Sequence, residues 1–179
     1  MKLNLTIMQI KEVIDLFSED SEDVFTVQDL GIDNSIKISK FVKEISAIYM
    51  REFNAYQEVR NKSIEELTNK YKEKAPIIIE FFTSISHDVA KANEILNRDT
   101  VSAIRDELMK LYTELNTQAS IIDKQIYSID IDFDFKSIIP CDVSLKFFVR
   151  FDFLFNNEEI KNEEEKPESK KKPKEEKKS

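Results

Sequence analysis

The chain has 179 residues, of which 41% are hydrophobic and 35% are charged, and its formal net charge at pH 7 is −8. The single glycine, Gly31, excludes glycine-rich phosphate-binding loops, and the single cysteine, Cys141, excludes an internal disulfide and a multi-cysteine zinc site. The negative charge argues against nucleic acid as the main partner, since neutralising phosphates needs a basic face. No apolar run approaches the roughly 20 residues that cross a membrane.

Composition divides the chain into two regions. Residues 156–179 contain eight lysines and eight glutamates but one aliphatic residue, Ile160. Such a balanced polyampholyte buries too little apolar surface to order itself, so we expect a disordered tail. It would either keep the protein in solution or act as a tether or as an arm that contacts nucleic acid. Residues 1–155 are predicted to form one α+β domain that is mostly α-helical.

The N-terminal part of this domain is predicted to be a strand followed by a helix. Polar and apolar residues alternate over 2–7, which is typical of a half-buried strand. Apolar residues then recur at helical spacing over 8–17. Residues 18–33 are acidic and turn-like.

The middle of the chain is predicted to be a long antiparallel helical hairpin. Apolar residues recur at steps of three and four over 35–75, and Pro76 is expected to end this helix, because proline disfavours helix in the residue before it. The returning arm, residues 77–126, is predicted to contain two helices. The first covers 77–96. The second runs from 100 to about 126, with Asp99 as a candidate cap, and its inward stripe contains Val101, Ile104, Leu108, Leu111, Leu115 and Ile122.

The cleanest period-two pattern in the chain covers residues 128–136. Apolar residues alternate there with three aspartates, Asp130, Asp132 and Asp134. The spacing resembles the first half of a calcium-binding loop, but Phe135 replaces the glycine that such a loop requires. On a strand the outer two carboxylates would be about 13 Å apart, too far to share one ion. The pattern therefore favours the wet face of a strand, pairing with residues 2–7 in a small two-stranded sheet.

A short C-terminal helix is predicted over 143–155, covering the apolar face of the second strand. It carries five of the thirteen phenylalanines, Phe147, Phe148, Phe151, Phe153 and Phe155. A small core could absorb three of these rings. Five suggest that some reach a partner or a second copy, because large exposed apolar patches usually mark interfaces. Packing within the core alone is the alternative.

The polar residues offer no convincing catalytic, metal or cofactor site. His87 is the only histidine, with Ser84 and Asp88 nearby. Adjacent side chains on a helix point in different directions, and the sequence indicates no oxyanion donors. Cys141 has no basic cluster near it to favour a thiolate. We therefore expect a protein that is not an enzyme and holds no cofactor.

Three parts of the chain carry a family resemblance. Residues 41–71, which end in FNAYQEVRNKSIEELTNKY, resemble the long helix of a family of small tailed-phage proteins of unknown function. The opening strand and helix over 2–17 are similar to the start of those proteins. The close, DVSL at 142–145 and FDFLF at 151–155, is similar to their short C-terminal helix. The resemblance implies a phage origin and a role in the particle or its assembly.

These observations lead to one hypothesis and one alternative. The first is a non-enzymatic phage accessory protein that acts by protein–protein contact, as a virion component or assembly factor, on other phage proteins or on itself. The alternative is an early phage regulator that binds a host protein. The expected location is the virion or the host cytoplasm.

Overall fold

A computed structural model describes residues 2–17, 30–139 and 145–155. In chain order the elements are β1 (Lys2–Thr6), α1 (Ile7–Leu16), α2 (Ile32–Lys70), α3 (Ala75–Ser84), α4 (Val89–Leu96), α5 (Arg105–Asp123), β2 (Ile126–Asp130), α6 (Phe135–Ile138), α7 (Leu145–Arg150) and α8 (Asp152–Phe155). Two 3₁₀ turns, Lys72–Lys74 and Asp99–Val101, join helices. The predicted class, α+β and mostly α, is confirmed.

The two predicted strands pair, as the sequence indicated. β1 and β2 are antiparallel, with Leu3 opposite Ile129, and both side chains are buried. The alternation over the first strand therefore places one face on the core and leaves the other face outward. The sheet joins the start of the chain to the segment that follows the hairpin.

The second strand was predicted to continue to residue 136, and this was wrong. β2 ends at Asp130, because that residue pairs with Lys2, the first residue of β1. Beyond it the chain leaves the sheet, and the Asp134 carboxylate accepts a hydrogen bond from the Lys136 backbone N–H at 3.1 Å, which caps α6. The alternation still describes burial correctly, since Ile131 is buried outside the strand.

The helix after β1 begins with a reciprocal cap. The Thr6 hydroxyl accepts a hydrogen bond from the Gln9 backbone N–H at 3.2 Å, and the Gln9 side chain accepts one from the Thr6 N–H at 2.9 Å. The buried stripe of α1, Ile7, Ile10, Val13 and Leu16, then packs against α2. Residues 18–33 were predicted to be turn-like, and most of them, 18–29, lie outside the described residues.

The long helix was predicted to end at Pro76, but it ends at Lys70. Tyr71 follows with φ −121° and ψ 60°, which is not helical. Pro76 instead lies in the first turn of α3. Proline suits that position, because the first N–H groups of a helix have no intrahelical acceptor and its fixed φ is already helical. The proline starts the next helix rather than stopping the previous one.

The helix predicted over 77–96 is divided in two. α3 stops at Ser84, whose carbonyl accepts hydrogen bonds from the N–H groups of His87 and Asp88 at 2.9 and 2.6 Å. The Asp88 carboxylate then accepts a hydrogen bond from the Lys91 N–H at 3.0 Å and caps α4. The break lets both short helices turn an apolar face inward, with Phe81 and Ile95 fully buried.

The predicted cap at Asp99 was also wrong. Asp99 opens a 3₁₀ turn, and α5 begins six residues later at Arg105. The Arg105 guanidinium Nε donates a hydrogen bond to the Leu96 carbonyl at 2.7 Å, which ties this connection to the end of α4. The turn buries Val101 and Ile104 before the long return helix starts.

In the described part of the chain, two clusters of buried hydrophobic side chains lie at different positions along α2. The sheet cluster contains residues of both strands, α1, α6, α7 and α8, together with Ile38, Phe41 and Ile45 of α2. The distal cluster contains Leu67 of α2 together with residues of α3, α4, the second 3₁₀ turn and α5. No α2 residue between Ile45 and Leu67 is buried. The hairpin prediction is confirmed, and α2 paired with α5 links the two clusters.

One carboxylate in the hairpin should make stability depend on pH. Lys70 Nζ donates to both Glu107 carboxylate oxygens at 2.8 and 2.7 Å, and the Tyr71 hydroxyl donates to the same carboxylate. Lys70 first, and Tyr71 second, lower the pKa of Glu107 below its ordinary value of 4.5. A depressed folded pKa gives stability that is present above the unfolded pKa and lost as the pH falls through the folded one.

We therefore expect Glu107→Gln to be less stable than the wild type at pH 7. The difference should shrink as the pH is lowered below about 5, because the wild type then loses the ionised carboxylate as well. Urea unfolding between neutral and acid pH measures this difference. Glu73→Gln, at an exposed carboxylate in the first 3₁₀ turn, is the control and should show no such convergence.

Candidate interaction surface

The C-terminal residues form two short helices where one was predicted. α7 ends at Arg150 and α8 begins at Asp152, while residues 143 and 144 lie outside the described part of the chain. Phe147, Phe151 and Leu154 are spaced four and three apart, share one face and are buried in the sheet cluster. This face joins the core that also holds the apolar residues of the β2 region, as predicted.

The five predicted phenylalanines have different surroundings. Phe147 and Phe151 are buried, with ring centroids 4.9 Å apart. Phe153 and Phe155 are partly buried and pack against the sheet cluster. Phe148 is 37% exposed, and its ring lies 5.3 Å from that of Phe155. The core absorbs two rings completely, and Phe148 is the most accessible of the five.

Val149 was missed by the sequence interpretation, although it is 73% exposed. Phe148 and Phe155, whose rings lie together, and Val149 at the next outward position of α7 make up the set of side chains that we call the aromatic surface. The spacing of Phe147, Phe151 and Leu154 could have revealed the exposure of Val149. A helix that turns those three positions inward turns positions 148 and 149 outward. The search for aromatic residues passed over the valine.

The aromatic surface is rigidly supported and has charged neighbours. Buried Phe147 and Phe151 fix α7 on the core, so the outward residues are presented by a helix that is itself packed. Lys146 and Asp152 are exposed near them. The Arg150 guanidinium lies 5.1 Å from the Phe151 ring centroid. An apolar patch with a polar rim is typical of a protein-binding surface.

The aspartate row faces solvent, as the alternation predicted. Asp130, Asp132 and Asp134 are all exposed, and the last of them is occupied in capping α6. Within residues 2–17, 30–139 and 145–155, no three His, Cys, Asp or Glu side chains are grouped so that they could hold a metal ion.

Ser84, His87 and Asp88 are not brought together as a catalytic group. Ser84 is buried, while His87 and Asp88 are exposed, and the Asp88 carboxylate accepts its hydrogen bond from the Lys91 backbone. Cys141 and the tail, residues 156–179, lie outside the described residues. Among the helices that the structure describes, none is long and apolar enough to cross a membrane.

Two open grooves in the described part of the chain lie along α5. One is lined only by α5 side chains, from Asp106 to Gln118. Another lies between α2 and α5, where Lys70 and Glu107 form their ion pair.

Comparison of the chain with protein-family models, with curated proteins and with solved structures found no match.

Proposed function

We propose that this chain is a non-enzymatic bacteriophage accessory protein that acts by protein–protein contact, as a virion component or an assembly factor. The observation that carries the contact is the aromatic surface. Val149 and Phe148 are large apolar side chains held outward by a helix whose other face is buried. Covering them with a partner would remove apolar area from water, worth about 25 cal/mol per Å².

The phage assignment rests on the sequence resemblance over 2–17, 41–71 and 142–155. The segments that carry this resemblance contain β1, α1, most of α2 and the C-terminal helices α7 and α8. Other phage proteins are therefore the proposed partners, and the virion or the host cytoplasm the proposed location.

Mass spectrometry of purified particles from a phage that encodes this chain tests the proposal. We expect the protein in particles or assembly intermediates, and expect Val149→Asp to reduce its amount about tenfold or more. Burying an unpaired polar group costs about 1–3 kcal/mol, and a carboxylate costs more. The matched control is Val89→Asp, because Val89 is 62% exposed, also lies on a short helix and is outside the aromatic surface.

Two outcomes would contradict the proposal. Particles and assembly intermediates that lack the protein, combined with expression before the structural proteins, would favour the early regulator. Equal retention of Val149→Asp and Val89→Asp would remove the aromatic surface as the contact. Far-UV circular dichroism on both variants checks that they remain folded.

A further inference from the structure

The outer face of α5 carries a ridge of exposed side chains on the side opposite the core. Leu108 and Leu115 point into the distal cluster. On the other side of the helix, a ridge at steps of three and four contains six exposed residues, Asp106, Met109, Thr113, Thr117, Ile121 and Lys124. Met109 is 38% and Ile121 59% exposed. Open grooves run along this face and are lined only by α5 and the residue that follows it.

The outer ridge is complementary to itself when read in the opposite direction. Asp106 lies nine residues before position 115 and Lys124 nine residues after it. Met109 and Ile121 lie six residues on either side, and Thr113 and Thr117 two on either side. Two antiparallel copies aligned at position 115 would therefore place acid opposite base, apolar opposite apolar and threonine opposite threonine.

We propose that a second copy of this chain docks on the outer ridge, α5 against α5, about a two-fold axis at position 115. A two-fold interface uses the same patch on both partners, so each pair occurs twice. The contact would contain two Asp106–Lys124 ion pairs at the ends and two Met109–Ile121 pairs inside them. The axes must lie within about 20° of antiparallel for both ends to meet, the angle common in helix bundles.

The polar side chains of the outer ridge are compatible with docking of a second copy of the chain. The Thr113 and Thr117 hydroxyls each donate to a carbonyl four residues back at 2.8 Å, so each threonine already has a hydrogen-bond acceptor for its hydroxyl. Asp106 and Lys124 make no salt bridge with any residue in the described part of the chain. A partner of unrelated sequence would give no reason for the ridge to complement itself. The inference concerns a different surface from the aromatic one and does not depend on the proposed function.

The dimer is expected to be weak. α5 has 19 residues and is about 28 Å long, so one helix face buries less than the roughly 800 Å² per partner of a standard stable interface. Sedimentation velocity on the full chain, from about 1 to 500 μM, should show a monomer–dimer equilibrium with a dissociation constant of micromolar order.

Charge reversal tests the register. Asp106→Lys sets lysine against Lys124 at both ends, and Lys124→Asp sets aspartate against Asp106. Each variant alone should dimerise about tenfold more weakly, because two exposed ion pairs become repulsions. The double variant restores both pairs and should dimerise like the wild type. A mixture of the two single variants should also form a heterodimer, since only the mixed pair is complementary at both ends.

The mixture separates docking from helix stability. Each single reversal places an unfavourable charge near an end of α5 and could loosen the helix. Loosening would not be repaired by mixing two altered chains, whereas complementary docking would be. A monomer at every concentration would overturn the proposal. The proposal would also be overturned if the dissociation constant of the dimer were the same in the wild type and in all three charge variants, because the contact would then lie elsewhere.

Discussion

Phe135→Ala is expected to lower the free energy of unfolding of the sheet cluster by about 3–5 kcal/mol, the usual cost of removing a buried phenylalanine ring. Phe135 is fully buried, and its ring lies edge-on to Phe41 at 5.6 Å and to Phe133 at 5.0 Å. It begins α6, so its ring joins the segment after β2 to the long helix. Its removal would leave a cavity beside the Phe41 and Phe133 rings.

Urea unfolding followed by far-UV circular dichroism measures this loss. Phe53→Ala is the matched control, because Phe53 is 43% exposed and its ring stacks on that of Tyr49, its neighbour one turn earlier on α2. We expect the control to cost less than about 1 kcal/mol, in the range of surface substitutions and one ring contact. Equal losses in the two variants would show that the Phe135 contacts do not hold the fold together.

Burial was easier to predict from the sequence than secondary structure was. The alternation around Asp132 correctly separated inward from outward residues, but it continued past the strand. A period of two needs only an extended chain, whereas a strand also needs a partner for its backbone. The partner ends where β1 begins, at Lys2, and that limit is a property of the register.

Helix boundaries were predicted less well, for a physical reason. Pro76 and Asp88 are both strong local signals, but proline also follows the ends of helices, and aspartate also occurs in turns. Proline is compatible with a first turn, and aspartate is compatible with a cap. The choice was made by tertiary packing, because the chain bends so that α3 and α4 contact each other, and both Phe81 and Ile95 lie in the distal cluster.

The candidate surfaces were only partly visible in the sequence. The phenylalanine-rich segment was found, but which rings face outward depends on the break at Phe151 between α7 and α8. The outer ridge was missed because the interpretation of the 100–126 segment followed its inward stripe. Met109 and Ile121 are two of the apolar residues left off that stripe, and both are exposed.

The two clusters should also unfold separately, and Phe81→Ala should reveal this. Phe81 is fully buried in the distal cluster, edge-on to Phe82 at 5.1 Å and to Tyr112 at 6.3 Å. The loss of about 3–5 kcal/mol should fall mainly on the distal cluster. Between Ile45 and Leu67, no α2 side chain is fully buried, so the change reaches the sheet mainly through α5, which pairs with α2, contacts α1 and packs Ile122 against the sheet cluster. Regions joined by few buried contacts open as separate units.

Native-state hydrogen exchange resolves the two units residue by residue. In Phe81→Ala, amides of α3 and α4 should lose about a hundredfold of protection or more, since 1.4 kcal/mol corresponds to a factor of ten. Amides of β1 and α1 should change much less. Ile79→Ala, at a 55% exposed position of the same helix, is the matched control and should leave both sets nearly unchanged. Equal loss of protection in β1 and α3 would mean that the contacts of α5 with α2 and α1 couple the two clusters into one cooperative unit.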